Sequence, residues 1–205
     1  VGAGTGIVSR ALQERGARVV AVDPGAEMLT RLRARTASGT AVAAVRADGN
    51  SLPLRDDSAD LVTYGQSWHW LDSAGSVAEA RRVLRPGGAL AGCWNFTDAA
   101  RAGWLAAYEQ RLAEEVPGYW GPALAEWDVP PLAGYVEVVE ERWLPWTRMI
   151  TVDDFLLDLR SHSYMAALPA GHADEHVRRR HAELAEVFPG GAMAVPMRTY
   201  LVVGR

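Results

Sequence analysis

The sequence predicts an α/β fold: a mostly parallel sheet flanked by helices, with two late strands added antiparallel at one edge. Three observations point there. Short apolar, β-branched runs alternate with stretches of helical periodicity through the first half of the 205-residue chain. Two of those runs close on Asp23-Pro24 and Asp48-Gly49, the punctuation of strands handing over to loops. Gly2, Gly4 and Gly6 stand directly before a helical stripe, as a sharp strand-to-helix turn requires.

The elements follow in order. Residues 7–15 carry an apolar stripe at Ile7, Val8, Ala11 and Leu12, and Gly16 stops that helix. Residues 17–22 form a buried parallel strand, after which Pro24 suits a first helical turn with Met28, Leu29 and Leu32 on its apolar face. Strands follow at 41–47 and 59–64, a helix at 73–84 stopped by Pro86-Gly87-Gly88, and a strand at 89–94. Strands spaced by helices of this length imply right-handed crossovers and parallel pairing. Beyond residue 94 the pattern changes to a helix at 95–113, an irregular Trp- and Pro-rich stretch at 117–131 and a strand at 136–147. Helices at 152–167 and 173–187 and a strand at 195–203 complete it. Residues 1–205 are read as one domain: 1–94 as a ligand-binding core, with 95–135 and 150–194 as helical lid insertions over the strand ends. Val1 opens directly onto the glycine loop without an initiating methionine. The chain is therefore expected to be a fragment whose first strand is truncated.

Composition narrows the function. A net charge of −4 argues against nucleic acid as a partner. The run Arg178-Arg179-Arg180 is flanked by Glu175 and Glu183, as on a solvated helix face. One cysteine, Cys93, suits a reducing compartment, and no apolar run is long enough for a bilayer, so a cytoplasmic protein is expected. His172, His176 and His181 lack a third ligand at a convincing spacing, so no metal is expected. Ser9, Ser51 and Ser58 lack the context of a nucleophile.

The chemistry concentrates at the carboxyl ends of the strands. Asp23 lies 17 residues after Gly6, where a carboxylate can accept two ribose hydroxyls or cap the next helix. Asp48 ends the next strand, where it can accept from an adenine amino group or serve a turn. In the run Trp68-His69-Trp70, His69 can orient an acceptor, take a proton from it, or pack between the indoles. Of the eight tryptophans, Trp68, Trp70 and Trp94 are the candidates for an apolar acceptor cavity; Arg160 and Tyr164 could grip an acidic acceptor or simply join helices.

Taken in order, five segments resemble the class I S-adenosylmethionine-dependent methyltransferases. They are Val1-Gly-Ala-Gly-Thr-Gly6, Val22-Asp-Pro24, Asp48-Gly-Asn-Ser-Leu-Pro-Leu54, Asp60-Leu-Val62 and Glu79-Ala-Arg-Arg-Val-Leu-Arg-Pro-Gly-Gly88. More narrowly, Gly65-Gln-Ser-Trp-His-Trp-Leu-Asp72 and Ser161-His-Ser-Tyr164 look like the small-molecule branch that includes trans-aconitate methyltransferase-like proteins. The resemblance implies a Rossmann-like fold and S-adenosylmethionine as cofactor. It places Gly2, Gly4 and Gly6 along the methionine and ribose, Asp23 on the ribose hydroxyls, and Pro24 and Met28 beside the nucleoside. Asp48 and Gly49 would face adenine, and Gln66 the methionine end. The family's acidic residue ahead of the loop would precede Val1, along with the first strand and an upstream helix.

The expected function is methyl transfer to a small acceptor, a carboxylate among those considered, by in-line displacement. A nicotinamide-dependent oxidoreductase shares the fold logic, but Ile7 occupies the place where a dinucleotide fingerprint wants a small residue. A catalytically inactive S-adenosylmethionine-binding module is the third reading.

Overall fold

The computed structural model describes residues 1–37, 39–116, 119, 131–160, 162–169 and 171–205. The chain divides into two compact units. One comprises Val1–Trp94, Val129–Trp143 and Tyr200–Arg205; the other comprises Asn95–Asp128 and Leu144–Thr199.

The first unit is the α/β part. Helix α1 (Ile7–Gln13) follows the glycine loop, then β1 (Val19–Asp23), α2 (Ala26–Ala34), β2 (Val42–Arg46) and β3 (Ala59–Gly65). A 3-10 turn at Trp68–Trp70 leads to α3 (Ser73–Val83), and β4 (Leu84–Thr97) begins immediately after it. The pairing of β1 with β2 is parallel, Val19 opposite Val42 through Asp23 opposite Arg46, and β3 is parallel to β4 from Leu61 opposite Ala89 to Gly65 opposite Cys93. Parallel partners must be joined by crossovers, and α2 and α3 are those crossovers. Ala21, Leu29 and Leu32 make one buried cluster between β1 and α2. Val62, Tyr64, Trp68, Val77, Ala80, Val83, Leu90 and Trp94 supply further buried apolar residues of this unit.

The late strands are β5 (Val138–Thr151) and β6 (Ala192–Gly204), and the four-stranded order is β3-β4-β6-β5. Glu137 and Arg205 exchange both backbone hydrogen bonds, while Val152 N donates to Gly191 O. One end of β5 therefore meets the opposite end of β6, which makes the pair antiparallel as the sequence predicts.

The sheet is not continuous across the first unit. The strands β1 and β2 form one sheet and the other four strands a second. The facing edges of β1 and β3 border a groove of about 960 Å³ lined by Val20, Val22, Leu61 and Thr63 among others. Residues at the start of the chain touch both edges: Val1 N donates to Thr63 O at 2.8 Å, and Ala3 N to Val22 O at 2.9 Å.

In the second unit α4 (Gly103–Glu115), α5 (Val152–Arg160), α6 (Ser163–Ala166) and α7 (His172–Val187) bury a common core. It includes Leu105, Tyr108, Leu112, Leu156, Leu159, Met165 and Leu184. Several boundaries differ from the sequence reading: β4 starts at Leu84 rather than residue 89 and takes in Pro86-Gly87-Gly88, β5 ends at Thr151 rather than 147, and β6 starts at Ala192 rather than 195. The strand expected at 89–94 runs on to Thr97, because Trp94 and Phe96 are buried while Asn95 is exposed, the period of two that defines a strand. The helix expected from residue 95 consequently starts only at Gly103. The helix expected over 152–167 is two helices, α5 and α6. Of the irregular stretch 117–131, only Tyr119 and Pro131 are among the described residues, so Trp120 and Trp127 lie outside them.

Candidate functional site

The site is built from loops at the carboxyl ends of β1, β2 and β3 together with the glycine loop, all within the first unit. Asp23 organises it. Its Oδ2 accepts from Gly4 N and its Oδ1 from Gly25 N, each at 2.8 Å, and the residue is only 8% exposed. A carboxylate has about four acceptor positions, so these two bonds leave others open. Pro24 sits between the bonded residues rather than inside α2, which starts at Ala26. Met28 is partly exposed, its side chain beside Gly25.

Gly4 is left-handed, with φ of +53°, and a Cβ built there would meet no atom within 4 Å. Gly2, at φ of +65°, is different. A Cβ there would lie 2.3 Å from Ser67 Cβ, so Gly2 lets the loop after β3 approach the backbone. Gly6 opens α1 and packs against Leu32.

Asp48 is exposed, and its Oδ1 accepts from Asn50 N at 2.8 Å and Asn50 Nδ2 at 3.0 Å, an Asx turn. Gly49 beside it is buried; a side chain there would collide with Val1 and Leu71. Asn50 Oδ1 in turn accepts from Asp72 N at 3.1 Å, tying the loop after β2 to the start of α3. The glycine loop, Asp23, Asp48 and Gly49 thus share one edge of the first unit.

After β3 the backbone makes an unusual turn. Gln66 is exposed and held at φ of +56°, a conformation few non-glycine residues adopt, while its N–H donates to Cys93 O at 2.9 Å. Ser67 is buried and its hydroxyl donates to Val1 O at 2.8 Å. Trp68 turns inward: it is 1% exposed, its indole N–H donates to Ser76 Oγ at 2.9 Å, and it meets Tyr135 edge-on. Trp70 is 71% exposed. His69 lies between these extremes, its ring 5.0 Å from that of Trp70, and burial pushes its pKa below the ordinary 6.5. Trp94, buried on β4, donates its indole N–H to His69 Nδ1 at 3.2 Å and stacks on Tyr200. The three tryptophans expected to form one cavity therefore differ: Trp68 is core, Trp94 holds His69 and Trp70 faces solvent.

Arg160 and Tyr164 belong to the second unit. There Arg160 pairs with Asp174 at 2.7 Å, and the Tyr164 ring packs 5.3 Å from that of Tyr119. Among the described residues, no group of three or more His, Cys, Asp or Glu is placed to hold a metal, and no helix is long and apolar enough to cross a membrane.

Sequence reasoning missed Ser67, Asn50 and Gly25. Asn50 carried a local signal, its position two residues after an aspartate, whereas Ser67 acts on a residue 66 positions away and carried none.

The chain is similar to known methyltransferases. A methyltransferase domain family matches residues 1–92. An uncharacterized methyltransferase of Mycobacterium tuberculosis (strain ATCC 25618 / H37Rv) is 38% identical over 170 residues, covering 83% of this chain; the chain spans 65% of that relative's length. An uncharacterized methyltransferase-like protein of Schizosaccharomyces pombe is 30% identical over 198 residues, 91% of this chain and 70% of that protein. A malonyl-[acyl-carrier protein] O-methyltransferase of Xylella fastidiosa is 37% identical over 93 residues, 44% of this chain and 32% of that protein. Among solved structures, one from Anaeromyxobacter dehalogenans assigned to the type II methyltransferases aligns with a TM-score of 0.67 at 24% identity. It covers all of this chain and 87% of that one, a likeness of fold.

Proposed function

The chain belongs to the methyltransferases, and from that premise we propose that it moves a methyl group from S-adenosylmethionine to a small-molecule acceptor. The observation that carries the reading is the double engagement of Asp23, which fixes an acidic strand end against a glycine turn with open space at Gly4. That arrangement suits a nucleoside whose ribose hydroxyls donate to a carboxylate while its chain passes close to bare backbone.

The cofactor supplies a methyl group on a sulfonium, already electrophilic. The tasks left to the protein are placement and exclusion of water, and placement alone is worth on the order of 7–11 kcal/mol in well-aligned reactions. In this proposal Asp23 holds the ribose hydroxyls through acceptor positions not used by Gly4 and Gly25. Pro24 and Met28 flank the nucleoside, Asp48 accepts from the adenine amino group with Gly49 alongside, and Gln66 meets the methionine end. Gly2, Gly4 and Gly6 line the path between. His69, Trp70 and Trp94 stand on the acceptor side, with Trp68 supporting them from the core. A carboxylate is the acceptor class we favour, in keeping with a likeness to the small-molecule branch that includes trans-aconitate methyltransferase-like proteins. The similarity to an O-methylating relative supports oxygen as the methylated atom.

Calorimetry on the chain tests the reading. S-adenosylhomocysteine is expected to bind and NAD not to, and Asp23→Ala should weaken S-adenosylhomocysteine by at least about tenfold, the value of one hydrogen bond to a charged group. Tighter binding of NAD would overturn it.

A further inference from the structure

Asp48 sits at the head of the loop between β2 and β3, exposed, and among the described residues its carboxylate is bonded to Asn50 alone. A side chain placed by a surface turn is only as well aimed as the turn, so whatever fixes this loop also aims Asp48.

One helix holds the loop along its length. At the start of α3, Asp72 N donates to Asn50 Oδ1 at 3.1 Å. Two turns further along, Glu79 Oε1 accepts from Leu52 N at 2.7 Å, and Arg82 Nη2 donates to Leu52 O at 3.1 Å. Both peptide groups of Leu52 are thus taken by one ion pair, while its side chain is buried. Arg82 Nη1 reaches on to Leu54 O at 2.9 Å and to Asp56 Oδ1 at 2.5 Å.

The pair itself is a fork. Arg82 Nε donates to Glu79 Oε2 at 2.9 Å and Nη2 to Glu79 Oε1 at 2.6 Å, two near-parallel bonds that fix the plane of the guanidinium. A guanidinium has five N–H donors, and these bonds engage all of them. Apart from Glu79, every acceptor of the side chain lies at Leu52, Leu54 or Asp56, in the loop.

We propose that Arg82, oriented by Glu79, is a positioning residue for nucleobase recognition: it holds the loop that aims Asp48 at the adenine amino group, its own donors being engaged by the loop. This rests on the assignment of Asp48 to adenine in the methyl-transfer reading above. An arginine that served stability alone would leave the choice of base unaltered, whereas one that aims Asp48 governs it.

Titration calorimetry with S-adenosylhomocysteine and with S-inosylhomocysteine, in which a carbonyl oxygen replaces the adenine amino group, reads that choice. The wild-type chain should prefer the adenine compound by at least about tenfold, the worth of one hydrogen bond to a charged group. Asp48→Ala should bring the two ligands within about twofold of each other, and Arg82→Ala within about threefold. Where Arg82→Ala does not fold, Arg82→Lys decides: it keeps the charge, loses the fork, and should cut the preference to about a third of the wild-type value or less. A folded Arg82 variant that binds both ligands more weakly in equal measure, with the wild-type preference intact, would make Arg82 a structural staple and sink this proposal alone. Failure of the wild-type chain to bind S-adenosylhomocysteine would sink the methyl-transfer reading, and equal binding of the two ligands by the wild-type chain would sink the role of Asp48; either takes this inference with it.

Discussion

Replacing Gly4 by alanine separates the conformational role of the glycine loop from its proposed role in binding. Gly4 holds φ at +53°, where an L-residue costs about 1–2 kcal/mol. A Cβ there meets nothing within 4 Å, so no overpacking is added, and Gly4 N can still donate to Asp23. In a domain of this size 1 kcal/mol moves Tm by about 2–4 °C, so Gly4→Ala should melt roughly 2–8 °C lower. Gly2→Ala carries the same conformational cost at φ of +65°, but its Cβ would lie 2.3 Å from Ser67 Cβ and 2.7 Å from Ser67 Oγ. Relieving that overlap adds about 1–3 kcal/mol, and Gly2→Ala should melt measurably below Gly4→Ala. Binding should not follow the same order of severity. The new methyl at Gly4 projects into the space assigned to the cofactor, so S-adenosylhomocysteine affinity should fall by roughly tenfold or more, a change of about 1.4 kcal/mol. Scanning fluorimetry and titration calorimetry on the two variants measure both effects. Wild-type affinity in a folded Gly4→Ala would refute the assignment of that space, and a Gly2→Ala as stable as Gly4→Ala would refute the packing argument.

Two further outcomes are expected. Hydrogen bonds from Arg82 and from Leu52 N–H hold the Glu79 carboxyl below its ordinary 4.5 against the cost of burial. The stability this contributes is present above the unfolded-state value and lost as pH falls through the folded one, so wild type should lose more stability than Glu79→Gln between about pH 5 and 3. Parallel acid-unfolding curves would count against it. Glu109 is the opposite case: burial raises its pKa, with the Thr97 hydroxyl bonded to it working the other way. Its contribution is complete below the ordinary carboxylate value and lost as pH rises through the folded value, so Glu109→Gln should gain in Tm relative to wild type from about pH 5 to 8. An unchanged difference across that range would refute it.

The first sixty-five residues were legible because their signals are local. A β-branched run closed by Asp-Pro or Asp-Gly states both the strand and its end, and β1, β2 and β3 each fall within two residues of the reading. The second unit was read less well for an equally physical reason. Asn95 follows a buried tryptophan and precedes a buried phenylalanine, and only the pleat of β4 reveals that the strand continues to Thr97.

Individual site residues divide along the same line, and Asp23 shows where the division falls. The sequence offered two roles for it, a ribose ligand or a helix cap, and the structure adds a third. Its two oxygens bond Gly4 N and Gly25 N, while α2 begins at Ala26 without a side-chain cap. A residue 19 positions away in the chain is thereby fixed by the carboxylate that is also proposed to hold the ligand. The glycine turn and the acidic strand end are consequently one device: removing the carboxylate takes away the acceptor of the Gly4 N–H as well as the group proposed to bond the ligand. His69 was ambiguous for the converse reason. A histidine between two tryptophans in sequence could be a base, a donor or a packing residue, and in the fold its Nδ1 accepts from Trp94, 25 positions away on β4. A motif can state which side chains gather at a strand end, but the proton's place on an imidazole is set by the partner across the sheet.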